Sequence, residues 1–532
     1  MEHNPILSSD PSVLCEAIRC VVRPLFLTRQ DTNVTVSDAA AFDESGNTAY
    51  IPPVRLENLG DPTFCADYGL RYPYIAGSMA NGISSCEIVE AMSRAGMLGF
   101  FGAGGLRLAE VEQAIERITT NLPASSPFGF NLIHSPHEPQ LEAALTDLYI
   151  RRHVHLIEAS AFLDLTLPLV RYRLHGIHRA DGRNPRFKAG EIVTPNRVMA
   201  KVSRVEVAAK FLAPPPERFL RELVDSGDLT PEQALLAAQV PVAQDLTTEA
   251  DSGGHTDNRP AVTLFPTIVA LAERLQAEHR YPHPLRIGLG GGIATPLATA
   301  AAFAMGAAYV VTGTVNQACR ESGTSPVVRQ MLAEAGQADV TMAPAADMFE
   351  MGVNLQVLKR GTMFAMRAAK LYELYRSRNS LDEIPAADRA TLEKTIFKVP
   401  LDEIWRQTCQ FFQNTDPSQI ERAERDPKHK MALTFRWYLG LSPRWAQTGA
   451  LDRRVDYQVW CGPAIGAFNE WTHGSFLEKP EGREIVPVAM NLLYGAAVAT
   501  RLHYLRAQGI RLEPQTVPII PLELGQIEEY LS

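Results

Sequence analysis

Residues 285–314 have the sequence LRIGLGGGIATPLATAAAFAMGAAYVVTGT, which contains the most informative fold signal in the chain. Two apolar runs, at 285–291 and 309–314, each lead into a glycine-containing turn, and the segment between them has the apolar spacing of a helix. A strand, a helix and a second strand in this order predict one unit of a parallel sheet. Glycine after each strand lets backbone N–H groups approach an anion closely.

The same alternation extends toward the N-terminus. Six further apolar runs precede this stretch, at 72–78, 97–103, 127–133, 154–160, 197–203 and 240–246. Each run is nearly continuous in apolar residues, which is typical of parallel strands buried on both faces. Eight strand–helix repeats within about 245 residues predict an α/β fold, a (β/α)8 TIM barrel over residues 71–345.

The rest of the chain is predicted to surround this barrel. Residues 1–70 contain short strand-like runs among turn residues, and we interpret them as a leader that packs on the barrel. Helix signals within 204–239 predict a helix pair inserted beside the barrel mouth, either as a lid over a substrate or as a packing element. Helical patterns replace the strands after about residue 345, so 346–532 is predicted to be a mainly α-helical region.

Composition excludes several classes of function. The chain of 532 residues has a net charge of −9 and 46% hydrophobic residues. Because it has no basic excess, we expect no nucleic-acid partner and no anionic membrane surface. The seven cysteines include no CxxC pair and no zinc spacing, so we expect reduced thiols and no metal. The polar N-terminus and the absence of an 18-residue apolar stretch predict a cytoplasmic protein without a membrane span.

The glycines after the last two strands form a candidate phosphate site. Gly291 and Gly292 precede one predicted helix, and Gly313 and Thr314 begin another. Two glycine-rich helix starts after strands seven and eight are typical of the phosphate cup of a TIM barrel. The alternative is that both are tight strand–helix turns that bind no ligand.

The loop after strand six has the sequence TTEADSGGHTDNRP and carries a candidate catalytic group. Gly253 and Gly254 would let the chain pass close to a flat ring. His255 can donate a proton or form a hydrogen bond to a carbonyl group near neutral pH. The alternative is a histidine that caps a polar loop.

Other strand ends supply candidate contacts to an isoalloxazine ring. Backbone groups after strand one would lie against the ring edge, at Ala76, Gly77, Ser78 and Met79. Asn131 in strand three offers an amide. Lys201 at the end of strand five either lies beside the N1–O2 edge of a flavin or pairs with Glu158 across the barrel. His134, His137 and His155 are interpreted as structural.

These residues resemble the superfamily of nitronate monooxygenases and FMN-dependent enoyl-ACP reductases. The superfamily pattern has a strand-one PM-G motif, a GxN strand, an EAGGH loop, a GGI turn and a GT turn. The matching segments here are SMANG, GFN, ADSGGH, GGI at 291–293 and GT at 313–314. Asp251-Ser252 replaces the EA pair and Ser78 replaces the proline before Met79, and these departures indicate a subfamily.

Nearly the full chain resembles the PfaD family, the trans-acting enoyl reductases of polyunsaturated fatty acid and polyketide synthases. The phrases KVSRVEVAAKFLAPPP, EADSGGHTDNRP and YQVWCGPAIGAFNEW carry this likeness. The resemblance implies that FMN, reduced by NADPH or NADH, delivers hydride to a 2-enoyl thioester on an acyl carrier protein. It implies that His255 either protonates the α-carbon or polarises the thioester carbonyl, and that the C-terminal helices form the docking face for the carrier.

Three rival interpretations stay open at this stage. A nitronate monooxygenase would use the same barrel and FMN to oxidise a small nitronate without a carrier. A synthase-associated scaffold would keep the fold without turnover, and a barrel without flavin would bind a sugar phosphate at the same cup. The oligomeric state is also open, and a homodimer is the expectation for an enzyme of this kind.

Overall fold

The computed structural model describes residues 10–30, 33–37, 48–134, 139–184 and 187–532. Its strands, numbered in chain order, are β1 Leu25–Gln30, β2 Asn33–Ser37, β3 Thr48–Ile51, β4 Tyr74–Ala76, β5 Leu98–Phe101, β6 Gly129–Ile133, β7 Leu156–Ser160, β8 His178–Arg179, β9 Ile192–Val193, β10 Arg197–Val202, β11 Asp245–Glu249, β12 Gly254–His255, β13 Arg286–Gly290, β14 Val310–Thr312, β15 Val340–Pro344 and β16 Asn354–Leu358.

The α-helices of the same ranges are α1 Pro11–Arg19, α2 Pro62–Tyr68, α3 Cys86–Arg94, α4 Leu108–Asn121, α5 Pro139–Arg151, α6 Leu167–Leu174, α7 Val205–Leu212, α8 Glu217–Asp225, α9 Pro231–Ala237, α10 Ala261–His279, α11 Pro296–Ala304, α12 Thr314–Gln317, α13 Pro326–Ala333, α14 Phe364–Ser377, α15 Ala386–Leu392, α16 Leu401–Thr415, α17 Ser418–Arg425, α18 Pro427–Thr448, α19 Ala464–Thr472, α20 Ile485–Ala507 and α21 Leu524–Leu531.

Eight parallel strands close into a barrel, which confirms the predicted TIM-barrel fold. The order around the barrel is β4, β5, β6, β7, β10, β11, β13 and β14, and β14 pairs with β4 to close it. Every residue of β4, β5, β7, β13 and β14 is buried, as the continuous apolar runs predicted. Parallel strands covered by helices on the outside and filled by side chains on the inside bury both faces.

The sixth strand lies later in the chain than predicted. The apolar run at 240–246 was expected to be the strand, but β11 is Asp245–Glu249. Val242 N donates to Ala213 O at 3.1 Å and Ala243 N donates to Phe211 O at 2.8 Å, so the apolar segment packs against the end of α7. The strand itself places Thr247 and Thr248, both fully buried, in the sheet.

The insertion contains α8 and α9, which follow the C-terminal end of α7. Asp228, between the two helices, pairs with Arg171 of α6 at 2.7 Å. Gln233 Nε2 donates to the carbonyl of Ile177, just after α6, at 3.1 Å. Because α6 and α7 both run away from the carboxyl ends of the strands, the helix pair packs at the opposite end of the barrel. The predicted position beside the mouth is therefore wrong, and a packing element is the interpretation that remains.

A small antiparallel sheet joins the barrel to the C-terminal region. Its strand order is β12–β16–β15, with His255 opposite Leu355 and Gly254 opposite Gln356. The expectation that strands stop near residue 345 was wrong at this point, because β16 lies at Asn354–Leu358. One edge of this sheet belongs to the loop after strand six, so the C-terminal region contacts the barrel mouth directly.

Helix α20 has the length and apolarity of a membrane-crossing segment, although 78% of its most apolar window is buried within the fold. It packs along α11, where a Cβ at Gly495 would lie 2.6 Å from the ring of Pro296. It also holds the N-terminal segment, since Tyr494 OH donates to the carbonyl of Arg19 at 3.0 Å. Its burial explains the apolar sequence as that of a core helix.

The buried apolar side chains form two main clusters. The larger one combines the barrel, the N-terminal elements and α20, from Leu14 to Ile527. A second cluster is confined to 343–439 and packs α14, α16 and α18 together. The proposed division into 1–70, 71–345 and 346–532 stays a prediction.

Candidate active site

The glycine turns after β13 and β14 lie side by side. Gly290 pairs with Val311 in the barrel sheet, so the turns that follow these residues are neighbours at the carboxyl end. Gly292 has φ +79°, and a Cβ on Gly292 or Gly313 would meet no atom within 4 Å. Both turns therefore leave open space beside their Cα atoms, and glycine at such a turn lets an anion come close to backbone N–H groups.

Gly291 serves a different purpose from its neighbour. Its φ is +82°, and a Cβ there would lie 2.7 Å from the carbonyl of Ala250 at the end of strand six. A side chain would collide with that strand, so the glycine lets two strand ends approach each other. Thr314, which begins α12, accepts a hydrogen bond from Gly462 N on its Oγ1 at 3.3 Å.

The loop of Gly253 and Gly254 packs against the C-terminal region. A Cβ on Gly253 would lie 2.7 Å from Cys461 N, and one on Gly254 would lie 3.9 Å from the Trp460 ring. The close approach that Gly253 allows within the protein is to the backbone of Cys461. The predicted passage of this loop close to a flat ring stays a prediction. Trp460 and Cys461 belong to the motif YQVWCGPAIGAFNEW at 457–471, which sequence reasoning did not place at the site.

His255 forms an ion pair with a residue that the sequence did not identify. Its Nε2 lies 3.2 Å from Asp347 Oδ1, and the side chains are 33% and 51% exposed. Burial lowers the pKa of His255, but the hydrogen bond and charge of Asp347 outweigh it and raise that pKa above its ordinary value of 6.5. Asp347 therefore stabilises the protonated form of this imidazole relative to that of an isolated histidine.

A second group of charges lies inside the barrel below the mouth. Lys201 Nζ lies 3.5 Å from Glu249 Oε1 and 3.8 Å from Glu158 Oε2. Burial opposes the charge of Lys201, whereas Glu249 and Glu158 raise its pKa. The predicted pairing with Glu158 is present and is shared with Glu249, so Lys201 is a cation between two carboxylates.

Glu158 organises the neighbouring strand ends. It is fully buried, and its Oε2 accepts hydrogen bonds from the backbone N of Ser78 at 3.0 Å and from the Ser78 hydroxyl. Its Oε1 has no hydrogen-bond partner among the described residues. A buried carboxylate oxygen without a partner is costly, so this atom is available to a donor on a ligand.

The remaining predicted residues surround this carboxylate. Asn131 is buried, and its Nδ2 donates to Glu158 O and to Ser160 Oγ, both at 3.1 Å. Gly77 N donates to Thr312 O at 3.0 Å, which ties the segment after β4 to the segment before Gly313. Ala76 is buried at the end of β4, and Met79 follows on the same segment. The predicted residues are thus brought together at one end of the barrel.

The histidines interpreted as structural make local contacts. His134 Nδ1 lies 2.9 Å from Glu142 Oε2, and His155 Nδ1 lies 3.0 Å from Asn196 Oδ1. His137 lies outside the described residues. Across the described ranges, no group of three or more His, Cys, Asp or Glu side chains is arranged to hold a metal ion.

The chain is similar to parts of large synthases. It is 47% identical over 91% of its length to a polyunsaturated fatty acid synthase polypeptide of Thraustochytrium sp. and covers 32% of that protein. It is 43% identical over 84% of its length to the polyketide biosynthesis protein PksE of Bacillus subtilis, of which it covers 57%. The chain therefore spans from about a quarter to somewhat more than half of the curated relatives that it matches.

Solved structures share the fold. The enoyl reductase domain of MlnA from the macrolactin cluster of Bacillus amyloliquefaciens is 38% identical, with a TM-score of 0.80, over 85% of this chain and 100% of that domain. FabK from Thermotoga maritima is 18% identical, with a TM-score of 0.50, over 85% of this chain and 99% of that one, a likeness of fold alone. Residues 378–457 match the family model of the inserted helical domain of [acyl-carrier-protein] S-malonyltransferase.

Proposed function

Because the chain belongs to the PfaD family, the enoyl reductases of polyunsaturated fatty acid and polyketide synthases, we propose that it reduces the double bond of 2-enoyl thioesters. The substrate is carried by an acyl carrier protein, the reductant is NADPH or NADH, and the cofactor is FMN. We also propose a cytoplasmic enzyme that acts in trans on its synthase. The carrier is expected to dock on the C-terminal helices.

One observation carries this proposal. The two open glycine turns, at Gly292 and Gly313, lie on the same rim as the His255 loop. An anion site and a titratable side chain on one barrel rim are what a reductase needs to hold a cofactor and to protonate a product.

The residues at the rim fit FMN. Backbone groups of Gly291, Gly292, Gly313 and Thr314 would hold its phosphate, since the space beside Gly292 and Gly313 is open. The ring would lie among the segment 76–79, Asn131, Lys201 and the 253–254 loop, where the free Oε1 of Glu158 offers an acceptor. When bound, FMN supplies hydride transfer.

The protein contributes orientation and a proton. His255 presents an imidazole to the mouth and either protonates the α-carbon or donates a hydrogen bond to the thioester carbonyl. Lys201 keeps a positive charge beneath the ring site, and its two carboxylates hold it in place. Trp460 and Cys461 pack against the 253–254 loop and hold it at one side of the mouth.

Relatives support the choice of a carrier-bound substrate. The curated relatives are proteins of fatty acid and polyketide synthesis. Residues 378–457 match a helical domain found in [acyl-carrier-protein] S-malonyltransferase, an enzyme named for its acyl carrier protein substrate. The helices of that segment therefore support the assignment of a carrier protein as the partner.

A direct assay tests the proposal. Purified protein should be yellow, and under anaerobic conditions with NADPH it should reduce a crotonyl thioester, faster on a carrier protein than on a short thiol. Oxygen consumption with a nitronate and no enoyl reduction would instead indicate a nitronate monooxygenase. A colourless protein that binds a sugar phosphate would reject the flavin.

Substitution of His255 separates its two candidate roles. His255→Ala should lower the rate by about 10²- to 10⁴-fold, the contribution typical of a general acid. His255→Gln retains a hydrogen-bond donor but cannot transfer a proton. A rate close to wild type in His255→Gln assigns carbonyl polarisation, whereas a loss equal to that of His255→Ala assigns protonation. Both variants should keep the yellow colour.

A further inference from the structure

We propose that Asp347 is a positioning residue for His255, and that the C-terminal region therefore completes the active site of the barrel. The catalytic role of His255 in this inference rests on the proposed function. The contact between His255 and Asp347 does not depend on it. It assigns a site residue to a part of the chain that the sequence separates from the barrel.

The two residues lie on one small sheet. His255 is in β12, which pairs with β16, and Asp347 lies in the connection between β15 and β16. The Nε2–Oδ1 distance is 3.2 Å although 92 residues separate the pair in sequence. Both partners are thus fixed to the same backbone frame, which sets the direction of the imidazole.

The connection that carries Asp347 is anchored. Asp347 Oδ1 also accepts a hydrogen bond from Met348 N at 3.1 Å. Phe349 is fully buried, and its ring lies 5.4 Å from that of Tyr372 and 5.2 Å from that of Tyr375. A carboxylate next to a buried aromatic anchor has little freedom to leave His255.

Gln356 holds the His255 loop against the same strand. Its Nε2 donates to Asp251 Oδ1 and to Ser252 O, both at 2.8 Å, and its Oε1 accepts from Asn258 Nδ2 at 3.0 Å. Gln356 is buried, with 5% exposure. Its amide therefore joins both sides of the loop to β16, so the loop keeps one conformation relative to Asp347.

This arrangement leaves one imidazole nitrogen for the substrate. Nε2–H donates to Asp347, and Nδ1 has no hydrogen-bond partner among the described residues. In the imidazolium, Nδ1–H carries the proton that goes to the α-carbon, and the neutral imidazole that remains keeps its proton on Nε2. Solvent returns a proton to Nδ1 after product leaves. Asp347 sets this order, as the carboxylate does in other histidine pairs.

The charges that act on His255 come from two elements. Asp347 from the β15–β16 connection and Glu249 from β11 both favour the imidazolium, and burial opposes it. Asp347→Asn removes one of these charges and retains an oxygen acceptor. Asp347→Glu keeps the charge. Asp382→Asn is the matched control, because Asp382 is exposed and has no ion pair in the described part of the chain.

The decisive measurement needs no turnover. With histidine labelled at ¹³Cε1 and the His255 signal assigned by its loss in His255→Gln, the titration midpoint should fall in Asp347→Asn. It should stay near the wild-type value in Asp347→Glu and Asp382→Asn. A midpoint in Asp347→Asn equal to that of the wild type would overturn the inference.

Kinetics then connect the contact to the proposed reaction. In Asp347→Asn, the reduction of the enoyl thioester should fall on the order of tenfold, with the alkaline limb of its pH profile moved to lower pH. Reduction of the bound flavin by NADPH and the flavin content should stay unchanged. Unchanged enoyl reduction across the pH range would reject the role of Asp347. If the wild type reduces no enoyl thioester while the midpoint still falls, the contact stands and the proposed function fails.

Discussion

The two ends of the barrel hold buried charges in opposite ways. At the end where the strands begin, the base cluster consists of Asp67, Tyr68, Asp245 and Arg286. Arg286 donates to Asp245 at 2.6 and 3.1 Å and pairs with Asp67 at 2.8 Å, and Tyr68 OH donates to Asp245 at 2.6 Å. Arg286 is only 3% exposed, and these short bonds give its buried positive charge two carboxylate partners.

At the other end lies the mouth cluster, which consists of Ser78, Glu158, Lys201 and Glu249. Its positive and negative charges are unequal in number. Its ion pairs are longer, at 3.5 and 3.8 Å, and two carboxylates share one ammonium group. One oxygen of Glu158 has no partner among the described residues. The base therefore uses charge to close the fold, whereas the mouth has a carboxylate oxygen whose hydrogen-bonding capacity the described protein leaves unfilled.

Asp245→Ala should give the largest effect on stability. It removes the buried partner of Arg286 and leaves only the partly exposed Asp67 beside this cation, so the free energy of unfolding should fall by up to about 3–5 kcal/mol. Asp67→Ala is the matched control, because its side chain is 36% exposed and Arg286 keeps Asp245. Urea unfolding measures both. Equal losses in the two variants would contradict the assignment of the base cluster to fold closure.

Gly313→Asp tests the ligand-binding rim. A carboxylate in the open space of the turn should repel the phosphate and weaken FMN binding by about a hundredfold or more, since like charges at an interface cost several kcal/mol. Gly313→Ala should fold as the wild type does, because a Cβ there meets no protein atom within 4 Å, and it should bind FMN more tightly than Gly313→Asp because it adds no charge. Flavin titration of the apoprotein measures the dissociation constants. If Gly313→Asp binds FMN with the dissociation constant of the wild type, the phosphate does not bind beside Gly313.

Glu158→Gln should change stability by less than about 1 kcal/mol, in contrast to Asp245→Ala, because Lys201 keeps Glu249 and the net charge of the mouth cluster becomes zero. Enoyl reduction should nevertheless decline, since the ring site loses a charged acceptor. Urea unfolding and the anaerobic assay report the two effects separately. A stability loss as large as that of Asp245→Ala would show that the mouth cluster stabilises the fold as much as the base cluster does, which contradicts the contrast drawn between them.

The smallest expected effect is the pH dependence of stability from His255 and Asp347. The folded-state pKa of His255 is raised, so the pair stabilises the fold below pH 6.5 and this contribution is lost as the pH rises through the folded-state value. Because both side chains are partly exposed, the contribution is at most about 1 kcal/mol. The difference in melting temperature between wild type and Asp347→Asn should shrink from pH 6 to pH 9.

Most of the barrel was predictable from the sequence, and each error has its own physical cause. Seven of the eight apolar runs located their barrel strands because continuous burial on both faces leaves a local signal. The sixth run was misplaced because β11 has buried threonines, Thr247 and Thr248, while Val240 and Val242 pack outside the sheet. Strands β15 and β16 were missed because they lie within a region whose other elements are helical.

The parallel barrel and the adjacent glycine turns at Gly292 and Gly313 follow from local patterns in the amino-acid sequence. Apolar periodicity and the need for glycine are properties of short segments, so they can be read without knowing the distant chain. The contacts of Asp347 with His255 and of Cys461 with Gly253 depend instead on how the folded chain brings distant segments together. Those contacts join residues 92 and 208 positions apart, and no local pattern encodes which distant strand will pair with a two-residue edge such as β12.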